Sequence, residues 1–361
     1  MIMRFAVFLL VAGILAQSPA LAQPSTRPIA PPVDPGAAPP PATVGKEIDQ
    51  QDIVRAAGVS RIVGGAPADP DFAHWQVDLR QLMQDRRSKV WYHYADAFRS
   101  GETHFCGASL IAPGWLLTAA HCVNESDGNG GIISPEDQFA VTMGSHDLTA
   151  TGSAYAITAH VFPGFHALRC PVRGPCYNSR TMADDIALIH FGAPIGAPDA
   201  AALFAPKDGF EPMSIGLAGI AADVPLKPDD RVFVTGWGRT VATDPGGAEE
   251  VGAFSPSLQQ VRLKVVAQRD CSRQHNDVTS GMFCLIGEIP GQDSCAGDSG
   301  GPAVRPVGDG RYILVGVVSF GGVVCGKGSG VYTRVDHYRS WILATMGRDA
   351  HQLIRLHSPG K

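Results

Sequence analysis

Short apolar stretches, some with strand-like alternation, recur along the chain and predict β-strands. Val261, Leu263 and Val265 are separated by polar residues, as in a half-buried strand, and the stretches 138–144 and 155–161 are interpreted as strands too. Near the end of the chain, apolar residues at helical spacing predict an amphipathic helix: Val335, Tyr338, Ile342 and Met346. The 42 glycines and 28 prolines favour short strands and many turns over long helices.

Composition narrows the class of protein. With 361 residues, about two domains are expected. Hydrophobic residues make up 45% and charged residues 17%, which is enough for a sizeable core. A formal net charge of −5 gives no support to a nucleic-acid partner. The eight cysteines form an even set without any Cys-x-x-Cys pair, which indicates an oxidising compartment rather than a zinc site.

The first 61 residues are predicted to be an export signal and a propeptide. Residues 1–22 combine Arg4, an apolar centre at 5–16 and small residues before position 23, as secretory signals do. The apolar centre is shorter than the roughly 20 residues of a spanning helix, so cleavage is favoured over a stable membrane anchor. The Pro-rich stretch 23–61 is then a propeptide. We expect a secreted or periplasmic protein.

Three motifs carry candidate chemistry. The stretch 292–302, QDSCAGDSGGP, places Ser299 among glycines that permit a tight turn. A serine is a weak nucleophile and needs an adjacent base that a third group orients. His121 follows the apolar stretch in LLTAAHC, and Asp185 precedes the apolar stretch in ADDIALIH. Asp184 is the rejected acid, because the apolar strand begins after Asp185.

These motifs, in the order His121, Asp185, Ser299, resemble those of the trypsin/chymotrypsin-like serine proteases over about residues 62–346. The resemblance implies an all-β fold with two antiparallel six-stranded β-barrels and a C-terminal helix. The barrels are expected at about 62–195 and 196–334, with the active site between them. The terminal helix is expected at 335–346, on the second barrel, and a frayed polar tail at 347–361.

The resemblance also implies the role of each catalytic residue. Ser299 attacks the peptide carbonyl, His121 moves the proton, and Asp185 orients His121. The backbone N–H groups of Gly297 and Ser299 are expected to form the oxyanion hole. No cofactor or metal is expected.

A second motif, RIVGG at 61–65, resembles the activation site of the family. Cleavage after Arg61 would free the amino group of Ile62, which is expected to pair with Asp298. The protein is therefore expected to be a zymogen. The alternative is an ordinary strand start with two flexible glycines.

The substrate pocket also follows from the resemblance. Asp293 is expected at its floor, where it would bind an arginine or lysine side chain. The small residues Ser294, Gly321 and Gly330 are expected to form the pocket walls. The stretch Ser319, Phe320 and Gly321 is expected to be the edge strand that pairs with the substrate backbone. The alternative for Asp293 is a solvent-facing loop aspartate.

Cysteine pairing is implied by the resemblance alone. It gives Cys106–Cys122, Cys271–Cys284 and Cys295–Cys325, and it leaves Cys170 and Cys176 as the fourth pair. Family members often have a further disulfide. In this chain the two positions that would form it are Val232 and Arg305, and these residues are expected to face each other. Ser145 stands where calcium-binding trypsins have a glutamate, so no calcium is expected in that loop.

Two stretches of the chain are predicted insertions in the protease domain. The stretch 80–103 is an exosite or, by preference, a solvated insertion, and 162–182 is expected to overhang the cleft. Expected partners are protein or peptide substrates with Arg or Lys at the cleaved bond, and a protein inhibitor is a further one. We expect a monomer. The rival class is a non-catalytic binding protein on the same fold.

Overall fold

The computed structural model describes residues 62–84, 91–93, 104–123, 139–148, 153–161, 182–194, 212–240 and 254–355, apart from 309 and 323. All of these residues lie in one compact unit, 42–361. The predicted export signal, the propeptide with Arg61, and the predicted pair Cys170 and Cys176 lie outside the described residues. In the part of the chain that is described, no helix has the length and apolarity needed to cross a bilayer.

The described chain is built mainly from strands. They are, in chain order, β1 (Ala66–Pro67), β2 (Gln76–Gln84), β3 (Trp91–His93), β4 (His104–Ala112), β5 (Trp115–Thr118), β6 (Phe139–Met143), β7 (Ser153–Val161), β8 (Ala187–Pro194), β9 (Gly216–Leu217), β10 (Arg231–Gly236), β11 (Gln259–Val265), β12 (Met282–Gly287), β13 (Pro302–Pro306), β14 (Tyr312–Phe320) and β15 (Gly330–Arg334). The helices are α1 (Ala120–Val123), α2 (Gln268–Gln274), α3 (Arg339–Met346) and α4 (Ala350–Arg355), with 3-10 turns at Asp336–Tyr338 and Gly347–Asp349.

The strands form two sheets that close on themselves. The first has the order β3-β2-β4-β5-β8-β7-β6, and the pairing of β2 with β6 closes six of these strands into the first barrel. In the second, β11-β10-β13-β14-β15-β12 closes through the pairing of β11 with β12 into the second barrel. The barrel pairings are antiparallel, and the predicted all-β fold with two barrels and a terminal helix is confirmed.

The segment before the first barrel belongs to the second sheet. Strand β1 pairs with β11, and Ile62 is fully buried in the apolar core of the second barrel. The expected boundary, which assigned everything from residue 62 to the first barrel, is therefore wrong for 62–67. The reason is that Ile62 finds its apolar neighbours on the second barrel, including Val232 and Val234.

Strand β11 follows the predicted alternation, but both of its faces are covered. Val261, Leu263 and Val265 are buried, and so is Arg262, which is 8% exposed. The Arg262 guanidinium donates to Glu288 Oε2 at 2.9 Å, which gives this buried cation a partner.

Residues at the start of the predicted insertion 80–103 continue the barrel. Strand β2 runs on to Gln84, and Leu82 pairs with His93 of β3. The described part of the insertion thus contains two paired strand segments. Arg80 is 8% exposed and forms an ion pair with Asp78.

The chain end packs on the first barrel. Helix α4 follows the turn Gly347–Asp349, and its Leu353 is 1% exposed. The indole N–H of Trp115, on β5, donates to Asp349 Oδ2 at 3.1 Å. The prediction of a frayed tail is therefore wrong for 347–355, because an apolar side chain and a tryptophan hydrogen bond hold this segment in place.

Strand pairing brings Val232 opposite Arg305, as expected. The antiparallel register pairs Phe233 with Val304, so Val232 and Arg305 are the next two facing positions. Val232 is fully buried, whereas Arg305 pairs with Asp230 at 3.1 Å. An ion pair thus accompanies the position where many relatives have a disulfide.

Candidate active site

His121 lies in α1, directly after β5, and its side chain is 27% exposed. Its Nδ1 atom is 2.8 Å from Asp185 Oδ2, and its backbone N–H donates to Asp185 Oδ1 at 2.9 Å. The two contacts fix both the place and the orientation of the ring. Because an ionised carboxylate only accepts hydrogen bonds, Nδ1 carries a proton, and Nε2 of the neutral ring is the basic nitrogen.

Asp185 lies two residues before strand β8 and is fully buried. The Ser319 hydroxyl also donates to its Oδ2, and the Thr333 hydroxyl donates to its backbone carbonyl at 2.9 Å. Burial alone would raise the pKa of Asp185, but the neighbouring His121 and the Ser319 hydroxyl hold this pKa below its ordinary value. The carboxylate is therefore ionised at neutral pH.

Ser299 lies in the nucleophile turn, which we define as residues 295–301. Its carbonyl accepts from the Gly107 N–H at 2.7 Å. Gly300 has φ +76°, and a Cβ there would lie 2.2 Å from Thr118 Oγ1 and 3.1 Å from Cys122 Sγ. Glycine is therefore required at 300, because the turn presses against the segment that carries His121.

Gly297 is the second position of the turn that requires glycine. Its φ is +98°, and a Cβ there would lie 2.5 Å from Phe254 Cε1. The turn is closed by the Asp298 N–H, which donates to the Cys295 carbonyl at 2.9 Å. Gly297 is buried, and Ser299 is partly exposed.

Both residues of the predicted activation pair, Ile62 and Asp298, are buried. Asp298 is 0% exposed and accepts from the N–H groups of Gly238 and Cys295, each at 2.8 Å. Burial raises the pKa of Asp298 to about 6 despite these two donors. Ile62 has φ +68°, which is a strained value for a β-branched residue.

Asp293, the predicted floor of the substrate pocket, is buried next to Gly330, one of the predicted wall glycines. It is 5% exposed, and its Oδ2 accepts from the Gly326 N–H at 3.0 Å. A Cβ on Gly330 would lie 3.3 Å from Asp293 Oδ1, and a Cβ on Gly321 would lie 3.8 Å from the Gly330 Cα. Burial raises the pKa of Asp293 to about 6, against the lowering effect of backbone N–H groups. The solvent-facing alternative for Asp293 is excluded by its burial.

The other predicted pocket residues have partners of their own. The Ser294 hydroxyl is 2.8 Å from the Tyr332 hydroxyl. Phe320 is partly exposed at the end of β14, and its ring meets the edge of His275 at 5.9 Å between centroids. Ser319 and Phe320 end β14, the predicted edge strand for the substrate backbone, and the Ser319 hydroxyl donates to Asp185 Oδ2.

Three disulfides hold these elements together. The structure contains Cys106–Cys122, Cys271–Cys284 and Cys295–Cys325, as the resemblance implied. The first holds α1 to β4, and the third connects the nucleophile turn to the segment before Gly330. Such a link contributes about 3 kcal/mol to stability for a loop of this size.

One cluster of potential metal ligands occurs among the described residues. The sulfur atoms of Cys106 and Cys122 and a His121 nitrogen lie within 4.8 Å of one another. Both sulfurs belong to the disulfide and cannot act as thiolate ligands. The cluster therefore does not fit a metal ion.

Some residues around the triad carry no signal in the sequence. Thr333 contacts Asp185 from 148 positions away, and Tyr338 donates to Asp184 Oδ1 at 2.7 Å. Neither residue belongs to a motif, and only their proximity in the fold reveals them. Tyr338 was predicted solely as a core residue of the terminal helix.

The fold and the site are similar to known proteins. The family model described as Trypsin matches residues 62–342. The chain is 34% identical over 257 residues to "Trypsin" of Phaedon cochleariae, which covers 70% of this chain and 82% of that protein. The mouse structure titled "Neuropsin, a serine protease expressed in the limbic system of mouse brain" superimposes with a TM-score of 0.55 at 26% identity, covering 78% of this chain and 98% of that one.

Longer relatives match as well. "Suppressor of tumorigenicity 14 protein homolog" of Bos taurus is 31% identical over 292 residues, which is 80% of this chain but 28% of the relative. The chain thus spans less than a third of that relative's length.

Two closed antiparallel barrels, with a paired histidine and aspartate and a glycine-rich serine turn, define a chymotrypsin-like fold. The chain belongs to the trypsin family of serine proteases.

Proposed function

We propose that this chain is an exported serine endopeptidase that hydrolyses peptide bonds after arginine or lysine and is made as a zymogen. The observation that carries the proposal is the two-point contact between His121 and the buried Asp185, next to the segment against which the Ser299 turn packs. This arrangement supplies an oriented base for a serine nucleophile.

In the proposed mechanism, Ser299 attacks the carbonyl carbon of the substrate peptide. His121 Nε2 accepts the serine proton and then donates it to the leaving amine. Asp185 keeps the proton on Nδ1 and stabilises the imidazolium that forms. Water then repeats the sequence on the acyl-enzyme, which releases the second product and restores Ser299.

The developing oxyanion is proposed to bind the N–H groups of Gly297 and Ser299. Such preorganised donors stabilise the transition state more than the substrate, by about 3 kcal/mol each. Gly297 supports this role because its backbone conformation at φ +98° is held by the close packing of Phe254.

The preference for arginine or lysine is argued from Asp293. This buried carboxylate has two backbone donors, and in the described part of the chain no cationic side chain pairs with it. A long cationic side chain that enters between Gly321 and Gly330 would supply the missing charge. An apolar side chain would leave the carboxylate unpaired, at a cost of several kcal/mol.

A matched pair of peptide substrates tests this specificity. The activated protein should cleave an arginine substrate at least about 10³-fold more efficiently than the same peptide with phenylalanine at that position. The measurement is kcat/KM for both peptides, with a lysine peptide as the second cationic case. Preferential cleavage of the phenylalanine peptide would contradict the assignment of Asp293.

The raised pKa of Asp293 gives the same test a pH dependence. The ionised carboxylate binds a cation, and its pKa in the free protein is about 6. Benzamidine affinity should therefore be constant above about pH 7 and fall about tenfold per pH unit below pH 6. An uncharged aromatic analogue is the control, since its affinity should not follow this curve.

Zymogen activation is argued from Asp298. This fully buried carboxylate is held by two backbone donors, and burial raises its pKa to about 6. A freed ammonium at Ile62 would give it a cation and stabilise the adjoining nucleophile turn. In the intact chain, Ile62 instead adopts the strained φ of +68°.

Replacing Arg61 by glutamine should keep the protein inactive. Arg61→Gln removes the cationic residue that an arginine-specific protease recognises, so the amino group of Ile62 is never freed. After treatment with such a protease, the unmodified chain should gain at least about 100-fold in kcat/KM while the variant gains nothing. Arg348→Gln, on the exposed turn after α3, is the control. Full activity of the uncut variant would refute the zymogen proposal.

Export is supported by the sequence at 1–22 and by the disulfides, which form in oxidising compartments. Relatives include the trypsin of Phaedon cochleariae and proteins named transmembrane proteases. We propose a monomer that acts on protein or peptide substrates, is open to a protein inhibitor, and keeps no membrane anchor after signal cleavage. Mass spectrometry of the exported protein would identify its first residue.

A further inference from the structure

Two large apolar side chains are exposed on the second barrel, and the proposed mechanism uses neither of them. Among the described residues, Ile286 and Ile289 are the large hydrophobic residues that stay exposed, at 36% and 39%. Ile286 lies near the end of β12, and Ile289 lies in the turn that follows, next to the exposed Pro290. A single exposed apolar residue needs no explanation, but two in one turn beside charged residues form a candidate contact surface.

A row of side chains across three strands extends this surface. The register pairs Arg231 of β10 with Lys264 of β11, and Lys264 with Ile286 of β12. Residues directly opposite each other on neighbouring strands point to the same face of a sheet. The adjacent Val232 and Leu263 are buried in the barrel core, so the row faces outward.

The polar part of the row is rich in cations. Glu288 accepts from the Arg231 guanidinium at 2.8 Å and from the Arg262 guanidinium at 2.9 Å. Lys264 is partly exposed, and no described residue forms an ion pair with it. A pocket of about 430 Å³ lies here, lined in part by Arg231, Lys264 and Glu288.

The other charged residues of the pocket leave this balance positive. Arg305 and Asp230 pair with each other at 3.1 Å, and the exposed Asp229 adds one carboxylate. The whole cluster then contains four cationic and three acidic side chains. A ligand that combines acidic and apolar groups would match it. We call the exposed row and turn the cationic-apolar surface: Arg231, Lys264, Ile286 and Ile289.

The described chain begins beside this surface. The Gln292 side chain accepts from the Ile289 N–H at 3.1 Å and donates to the Gly64 carbonyl at 3.0 Å. The Asp293 N–H donates to the Val63 carbonyl at 3.1 Å. The predicted propeptide is therefore joined to the protease domain next to the turn that carries Ile289.

The predicted propeptide contains a stretch of complementary chemistry. Residues 47–54 are EIDQQDIV, which has three acidic residues, no basic residue and three large apolar ones. Opposite charges and apolar side chains that can be covered together are the features of a specific contact. The stretch 23–61 has no cysteine, so no disulfide could retain it after a cut at Arg61.

The direction and length of the chain fit such a contact. Ala66 pairs with Gln260 in antiparallel fashion, so the chain that precedes Ala66 runs towards Lys264. Lys264 lies four positions beyond Gln260 on β11, about 14 Å away. Residues 55–61 can span up to roughly 25 Å. The stretch 47–54 can therefore reach the surface while it is still part of the intact chain.

We propose that the cationic-apolar surface binds residues 47–54 of the chain's own propeptide. The inference rests on the proposed zymogen function. The acidic groups of this stretch meet Arg231 and Lys264, and its apolar side chains cover Ile286 and Ile289. Cleavage after Arg61 and loss of the propeptide are then separate events, because noncovalent contacts hold the cut propeptide on the second barrel.

Binding of an isolated peptide tests the inference. The full chain is cut after Arg61 by an arginine-specific protease, and gel filtration at high salt removes the propeptide. Fluorescence anisotropy then follows a labelled peptide of residues 47–54, which has no arginine or lysine at which either protease could cut it. Its affinity should fall at least about tenfold between about 0.05 M and about 0.5 M salt, since salt screens surface charges. Absence of binding at low salt would overturn the inference.

Changes in the peptide test the contact without affecting the fold of the protein. A peptide with Glu47→Lys, Asp49→Lys and Asp52→Lys should bind at least about tenfold more weakly than the natural one. A peptide with Ile48→Ser and Ile53→Ser should also bind about tenfold more weakly, because it has lost its largest apolar groups. Equal affinity of the natural and the lysine peptide would contradict the proposed contact.

Changes in the protein locate the other side of the contact. Lys264→Glu should weaken binding of the natural peptide about tenfold and strengthen binding of the lysine peptide. Ile286→Thr keeps a β-branched residue on the strand and should weaken the natural peptide about threefold. Arg348→Glu, on the exposed turn after α3, is the control and should change neither affinity. Thermal unfolding identifies any variant that does not fold, and the peptide variants then decide.

The outcomes separate this inference from other occupants and from the proposed function. If the peptide does not bind, and the cut protein forms a dimer that Lys264→Glu dissociates, the surface is an interface between two copies and the inference is wrong. Cleavage of an arginine peptide is measured on the same preparation. An active protein that does not bind the 47–54 peptide overturns the inference alone. An inactive protein that binds it refutes the proposed peptidase function and leaves the contact standing.

Discussion

Replacing Ser299 by alanine should lower kcat by about 10⁶-fold, the loss found when the nucleophile of a triad is removed. Ser299 is a partly exposed residue, and the glycine-rich turn that carries its hydroxyl lies against the segment before His121. Without it, His121 has no serine proton to accept. The remaining rate, about 10³-fold above that in water, would come from the oxyanion hole and substrate binding.

Single-turnover and steady-state assays of the cut protein measure this effect. Ser272→Ala is the matched control, because it deletes a hydroxyl from an exposed position in α2 and should leave kcat unchanged. A fluorophosphonate probe should label the parent protein and not Ser299→Ala. A parent protein that neither reacts with the probe nor cleaves peptides would favour the rival class, a binding protein on a protease fold.

Asp185→Asn should lower kcat by about 10⁴-fold while leaving the fold intact. The His121 backbone N–H donates to Oδ1, so the carbonyl oxygen of asparagine must occupy that position. Its amide nitrogen then faces His121 Nδ1 and the Ser319 hydroxyl. An NH₂ group donates, so Nδ1 must become the acceptor and the ring proton moves to Nε2. The imidazole then has no free base for Ser299.

The neighbouring carboxylate provides a close control for this prediction. Asp184 has φ +61°, a conformation that asparagine tolerates, and the oxygen of an asparagine can still accept from the Tyr338 hydroxyl. Asp184→Asn should therefore stay within about twofold of the parent kcat, and KM for an arginine peptide should be unchanged in both variants. An equal loss in Asp184→Asn would contradict the choice of Asp185 as the triad acid.

The local motifs were predictable because each depends on neighbouring residues. The glycines around Ser299 are adjacent in sequence, and Gly297 and Gly300 have the positive φ angles that favour glycine in a tight turn. Asp185 could be chosen over Asp184 because the apolar strand begins immediately after it. The family resemblance then supplied the fold and the cysteine pairs that the structure contains.

The errors came from segments whose partners lie far along the chain. Arg80 was assigned to a solvated insertion, but it is buried and donates to the Leu148 carbonyl, 68 positions away. The polar composition of 347–355 indicated a frayed tail, yet Leu353 and Asp349 have contacts on the first barrel. Composition does not reveal such contacts, since the burial of a residue depends on what the fold brings next to it.

By itself, the sequence determined which chemical groups this protein carries and the order in which it carries them: a histidine, an acid, and a serine turn with an aspartate six residues before the serine. The tertiary structure alone decided what each group faces. It directed the Ser319 hydroxyl to Asp185, 134 positions away, and His104 to the Gly297 carbonyl, 193 positions away. The physical reason is that hydrogen bonds and burial act over a few ångströms in space, whatever the separation along the chain.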